Sequence, residues 1–211
     1  ASFDLGSEYS LVHANFVGGE LSYRLKVPGR HWIQNSLAVL AAIHSVGADV
    51  FEASRAFEHV VPLKGRGLRH RVRAAQFEVE IIDDSYNASP ASVAAALAVL
   101  SRIDKGISGR RIAVLGDMLE LGPESKSFHL GLAQKVVENR VDLVYAVGPK
   151  MRNMYRELPS QYQGHWSETS QELIGVLATG LQHDDVVLVK GSLGTRMGLI
   201  VDGLMALGAE G

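Results

Sequence analysis

The 211-residue chain contains no cysteine, which excludes disulfides, thiolate nucleophiles and thiolate-held metals and fits a reducing compartment. It has no basic excess: 21 Lys plus Arg stand against 23 Asp plus Glu, a net charge of −2 that marks neither a nucleic-acid binder nor a charged interaction arm. Long apolar runs are missing too. The stretch from Val93 to Leu100 is among the longest and falls far short of the roughly 20 residues that a membrane-crossing helix needs. The opening ASFDLGSEYS lacks the basic start and apolar centre of a signal peptide. It also lacks an initiator Met, as expected of a fragment or a processed chain. No Gly-Lys-Ser or Gly-Lys-Thr occurs, so the chain holds no Walker phosphate loop, and no G-x-G-x-x-G follows a strand. No internal repeat or low-complexity segment is visible.

What is present reads as a soluble globular protein: 46% hydrophobic and 21% charged residues over a length that suits one large or two small domains. Residues 1 to about 27 alternate in short strand-like pieces around Gly18-Gly19. Helical spacing follows from Asn35 to Gly47, and Asp49 is placed to cap a second helix that Pro62 stops. LKGRGLRHR then reads as a glycine-rich basic loop, with Arg69, His70 and Arg71 in a solvated linker. Beyond it the pattern changes. Strands at Phe77–Ile81, Arg111–Leu115, Val141–Val147 and Asp185–Lys190 alternate with helices near 90–103, 124–139, 149–158, 171–181 and 195–207. Apolar strands alternating with helices predict an α/β fold with a doubly wound, mostly parallel, Rossmann-like sheet. A partial α/β segment precedes it. The switch of pattern near residues 71–76 sets an expected boundary between 1–74 and 75–211.

In such sheets ligands bind beyond the carboxyl ends of the strands, and three polar clusters fall there. DDSYNASP ends the first strand of the second region in two carboxylates. Ser89 as N-cap and Pro90 at the first helical position account for the turn. They leave Asp83 and Asp84 side by side, where repulsion calls for a cation or donor. GDMLELG follows the second strand. KGSLGTRM follows the last, where a glycine-rich turn, Lys190 and Arg196 suit an anion, or Ser192 and Thr195 serve as plain caps. Two further stretches stand out: Arg66 between Gly65 and Gly67, an arginine suited to gripping phosphate, and His31 with Asn35, one helical turn apart.

GRHWIQNSLAVLAA, GRG, DDSYNASPASVAAAL, VLGDMLELG with His129 downstream, and LVKGS, in this order, resemble the Mur ligase family from about Pro28 onwards. DDSYNASP with GDMLELG is most similar to the member that joins D-alanyl-D-alanine to a UDP-N-acetylmuramoyl-tripeptide in the cytoplasm. The resemblance implies the tail of a central ATPase domain (1–74) and a Rossmann-like C-terminal ligase domain (75–211), with ATP and magnesium as cofactors. It also implies that the phosphate loop lies upstream and that the piece alone is inactive. By position it assigns His31, Asn35, Arg66, Asp84, Tyr86 and Asn87 to the nucleotide, with Trp32 where the family has Asn. It assigns Lys190 and Ser192, with Asp117, His129 and Arg196 in the matching motifs, to the amino component and peptide end of the substrate. It implies that Asp84 closes onto a nucleotide held by the neighbouring domain, with Asp83 a structural carboxylate. The alternatives are another Mur-type amino-acid ligase, a receiver-like binding domain, which lacks its aspartate at YAVGPK, and a nicotinamide oxidoreductase.

Overall fold

The alternating first 27 residues form a three-stranded antiparallel sheet of β1 (Ser2–Leu5), β2 (Ser10–Phe16) and β3 (Gly19–Leu25), with Val12 opposite Tyr23 and Ala14 opposite Leu21. Gly18 and Gly19, at φ 128° and 141°, take backbone conformations at the turn that a side chain would disfavour. The computed structural model describes residues 1–6, 9–16, 18–74 and 77–209. Two compact units emerge, Ala1–Pro62 and Leu63–Gly211.

In the first unit α1 (Arg30–Ser45) begins five residues before Asn35, which therefore sits in its second turn and caps nothing. Asp49 caps α2 (Val50–Arg55), its Oδ1 accepting from the N–H groups of Phe51 and Glu52 at 2.7 and 3.2 Å. A 3-10 turn, Ala56–His59, follows. The inward residues Val12, Leu21, Leu25, Ile33 and Leu40 make this unit's own core, and the Tyr23 hydroxyl meets Ser36 Oγ at 2.7 Å.

The second unit is built on a six-stranded sheet of order β4-β5-β9-β6-β7-β8: β4 (Leu68–Ala74), β5 (Phe77–Asp84), β6 (Arg111–Gly116), β7 (Leu143–Val147), β8 (Gln163–Ser167) and β9 (Val186–Lys190). All neighbours are parallel except the β4–β5 pair. Runs such as VVLV (186–189) and LVYAV are apolar throughout because both faces are covered. On one face α3 (Pro90–Leu100), α4 (Ser125–Glu138) and α5 (Met151–Glu157) bring Leu97, Leu100, Leu132, Val136 and Met154 against Ile82, Leu115, Ala146 and Leu188. On the other, α6 (Ser170–Gly180) and α7 (Gly198–Ala209) set Leu173, Leu177, Ile200 and Leu204 against Ile81, Ile112, Val187 and Val189. Each of these leucine, isoleucine, valine and methionine side chains contributes about 1.5–3 kcal/mol when fully withdrawn from water. Ser89 and Ser92 form a capping box at the start of α3, with Pro90 at the first helical position. Among the described residues no helix is long and apolar enough to cross a membrane.

Two expectations need correction. The division falls after Pro62, about a dozen residues before the boundary expected near 71–76, of which Ala75 and Gln76 lie outside the described residues. The cause is that Leu68–Arg73 is not a linker. It is an edge strand, paired from Leu68–Asp83 to Ala74–Phe77, with Val72 buried beneath it. Its arginines are held by the neighbouring strand: Arg69 pairs with Glu80, and Arg71 and Arg73 with Glu78. The last helix also begins later than Thr195, because a 3-10 turn (Leu193–Thr195) and Arg196, in the left-handed region at φ 52°, precede it.

Candidate functional site

Chain direction places the candidate site. After β5 the chain crosses to the face of α3, and after β9 it crosses to the opposite face, that of α7. Crevices form between strands whose exits diverge in this way. The β9–β6 crevice is filled by the chain itself. A Cβ on Gly116 or Gly191 would come within 3 Å of Met197 and Thr195, and Met197 is fully buried. The polar groups therefore collect on the β5–β9 side.

Asp84 and Lys190 are register partners there. Lys190 Nζ donates to Asp84 Oδ2 at 2.7 Å and to the Asn87 carbonyl at 2.8 Å. The lysine side chain is 3% exposed and the aspartate 25%. The cation that the paired carboxylates require is thus the lysine of the last cluster, and it turns inward. Asp83 is fully buried. Its Oδ1 accepts from the Ser85 hydroxyl at 2.5 Å and the Ser85 N–H at 3.3 Å, and its Oδ2 accepts from the Gly65 N–H at 2.8 Å. This second contact brings the Gly65–Gly67 loop to the strand end. There Arg66 lies with its guanidinium 4.4 Å from the centre of the Tyr86 ring. Arg66, Tyr86 and Asn87 are all exposed.

Ser192 joins the three clusters. Its Oγ accepts from the Leu119 N–H at 2.9 Å and donates to the Ala88 carbonyl at 3.4 Å, and its own N–H donates to the Asp117 carbonyl at 3.1 Å. Asp117 and His129 are buried, and their polar atoms are engaged within the unit. Asp117 accepts from the N–H groups of Met151 at 2.6 Å and Lys150 at 3.3 Å, at the start of α5. Gly148 clears this carboxylate: a Cβ there would lie 2.6 Å from it. His129 Nδ1–H donates to the Ser125 carbonyl at 2.6 Å while Nε2 accepts from the Met118 N–H at 3.0 Å, which selects the Nδ1–H tautomer. These two residues hold the Asp117–Leu119 loop in place. Arg196 is exposed and follows the turn directly.

The structure therefore gathers Arg66, Asp84, Tyr86, Asn87, Asp117, Lys190, Ser192 and Arg196 on the carboxyl-end loops and strand ends of one unit, with His129 reaching the Met118 N–H there from α4. His31 and Asn35 belong to the other, one turn apart on α1, with the Trp32 ring 5.8 Å from that of His31. The amino ends of the strands carry a different arrangement. Arg110 embraces the fully buried Asp185, and Asp142 accepts from the Arg111 N–H at 2.7 Å and from Lys105 at 2.8 Å. Burial pushes the Asp142 carboxyl up, but these hydrogen bonds and the two cations outweigh it and hold the group below its ordinary value. That edge is locked by ion pairs, so the carboxyl edge is the reactive candidate.

Residues 69–193 match the family described as "Mur ligase, glutamate ligase domain". The chain is 32% identical over 206 residues to the UDP-N-acetylmuramoyl-tripeptide–D-alanyl-D-alanine ligase of Escherichia coli, covering 96% of this chain and 42% of that protein. It is 30% identical over 173 residues to the ligase of that name from Rickettsia prowazekii, covering 82% and 37%. Its backbone is similar to a crystal structure of MurF from Acinetobacter baumannii, with a TM-score of 0.81 at 26% identity over 98% of this chain and 44% of that one. The chain spans about two fifths of the length of the relatives it matches.

Proposed function

Because the chain belongs to the Mur ligase family, we propose that it is the carboxyl-terminal part of an ATP-dependent ligase of peptidoglycan synthesis. The ligase adds D-alanyl-D-alanine to UDP-N-acetylmuramoyl-tripeptide in the cytoplasm. In this reading Ala1–Pro62 belongs to the central ATP-binding domain and Leu63–Gly211 is the C-terminal ligase domain. One observation supports it above the others. Asp84, Lys190 and Ser192, from motifs about a hundred residues apart, meet on adjacent strand ends inside the region matched to the family.

The residues at this edge suit a nucleotide. Arg66 is exposed between two glycines and can grip phosphate oxygens bidentately. The exposed Tyr86 ring lies beside it, Asn87 follows Tyr86 in the same loop, and Asp84 keeps a quarter of its side chain in solvent. Bound ATP supplies the phosphoryl group that activates the peptide carboxyl, and the D-alanyl-D-alanine amine displaces the phosphate to form the amide. The share of this chain is to hold charge and geometry in place. Arg66 offsets phosphate charge. Asp84 is fixed by Lys190 at the strand end, and Ser192 ties the loops that face the incoming amine. Magnesium is a different matter: among the described residues no group of three or more His, Asp or Glu could hold a metal ion, so no step here is assigned to a metal bound by this chain.

The test is ADP release by the intact ligase. Release is expected only when UDP-N-acetylmuramoyl-tripeptide and D-alanyl-D-alanine are both present. Equal release with D-glutamate, L-alanine or diaminopimelate as the amino component would transfer the chain to another Mur-type ligase. No release with any amino component would remove the reading altogether.

A further inference from the structure

Arg66 lies on a loop, yet the loop is not free to choose its conformation. The Gly65 N–H donates to Asp83 Oδ2 at 2.8 Å, the Gly67 N–H donates to the Asp83 carbonyl at 2.7 Å, and the Tyr86 N–H returns to the Gly65 carbonyl at 3.0 Å. These bonds grip both flanks of Arg66 and the residue beneath its guanidinium. Geometry makes the grip selective. Gly65 has φ 78°, and a Cβ there would lie 2.9 Å from Tyr86 Cβ, so only glycine lets the loop come this close. The Asp83 carboxylate at the centre is fully buried and accepts from two N–H groups and one O–H.

We propose that Asp83 is a positioning residue for Arg66: the first carboxylate of the DD pair latches the Gly65–Gly67 loop to the end of β5 and so sets where the arginine stands. The proposal rests on the nucleotide reading only for what Arg66 grips; the latch is judged without it. The pair then divides its labour, Asp83 organising the arginine and Asp84 keeping its lysine. An amide in place of the carboxylate would turn one of its two acceptors into a donor facing a donor, at nearly constant volume. The side-chain oxygen can then serve the Gly65 N–H or the Ser85 N–H but not both, and the charge that strengthens either bond is gone.

The experiment follows the 211-residue chain by NMR, reading amide exchange at Gly65, the Arg66 Nε resonance displaced by the Tyr86 ring, and the response of that resonance to inorganic triphosphate. In Asp83→Asn, Gly65 exchange is expected to rise at least about tenfold, as loss of one hydrogen bond to a charged group implies. The Nε resonance should move to its exposed-arginine position and its response to triphosphate should weaken. Gly65→Ala attacks the same latch from the other side, keeps the question open to measurement should Asp83→Asn not fold, and should reproduce all three effects. Val136→Ala, which opens a cavity under α4, is expected to destabilise the fold while leaving the Arg66 signals at their wild-type positions. Retained protection of the residue-65 amide and retained ring displacement in Asp83→Asn and Gly65→Ala would overturn the proposal, and so would equal losses in Val136→Ala. A wild-type latch whose Arg66 ignores triphosphate would support the positioning role and sink the nucleotide reading instead.

Discussion

Asp84 faces Lys190 across the β5–β9 ladder, and the lysine, 106 residues later in the chain, is the more deeply buried of the two. The pair is therefore asymmetric. Removing the aspartate strands a cation with 3% of its side chain in solvent, whereas removing the lysine leaves a carboxylate that water still reaches.

That asymmetry sets an order of destabilisation. Asp84→Ala is expected to cost about 3–5 kcal/mol, as breaking a buried pair does. Lys190→Met should cost less, about 2 kcal/mol, for its lost hydrogen bonds to Asp84 and to the Asn87 carbonyl. Urea unfolding of both variants checks the order, and a costlier Lys190→Met would contradict it. In the intact ligase Asp84→Asn, which keeps an acceptor for the lysine, is the better kinetic probe. It should lower kcat and kcat/KM together with a smaller stability loss than Asp84→Ala.

Proteolysis should find the segment between the two units and not the basic strand after it. Val61 and Leu63 are exposed in backbone that belongs to no helix or strand, whereas Leu68–Ala74 is paired along its length with β5. A protease of broad specificity is expected to cut first between Val60 and Lys64. First cuts within Arg69–Arg73 would show that the edge strand opens more readily than the connection.

The amino-end edge supplies a pH dependence. Asp142 titrates in the folded chain below its ordinary value of 3.8. Its contribution is then fully present above that pH and is lost as pH falls through the lower folded value. Asp142→Asn should accordingly destabilise the chain at pH 7 and much less at pH 2 to 3, measured by urea midpoints at each pH. A penalty independent of pH would mean that the carboxylate's charge contributes nothing.

The chain by itself is expected to release no phosphate from magnesium-ATP above a buffer blank, with or without UDP-tripeptide and D-alanyl-D-alanine. It contains no Gly-Lys-Ser or Gly-Lys-Thr, and its described residues offer no cluster to hold a metal. Turnover that Asp84→Asn abolishes would show a complete site within these 211 residues.

The parallel strands were legible because a strand covered on both faces is apolar at every position, as in Val186–Val189. Ser89, Pro90 and Asp49 announced their helix starts by type and place. What escaped was pairing. Nothing in RHRVR reveals that a strand of alternating arginines is held by Glu78 and Glu80, because those partners become neighbours only through the register of β4 on β5. The inward turn of Lys190 depends likewise on the strand order. Asp117 and His129 look chemical by type, but burial, which no single sequence states, spends their polar atoms on backbone groups. The resemblance named loops that meet at the carboxyl edge; it did not show how the residues within them are bonded to one another.

The position of β9 carries one more consequence. This strand, completed only about twenty residues before the end of the chain, lies between β5 and β6 and is hydrogen-bonded to both, with Val186 paired to Glu80 on one side and to Arg111 on the other. During synthesis, β5 and β6 emerge long before the strand that joins them, and each waits with an apolar edge unpaired. The sheet can zip shut only when residues 186–190 arrive, so its slowest contacts are also its most distant ones. A nascent chain stopped just short of Val186 should therefore aggregate rather than fold into a smaller version of the same domain.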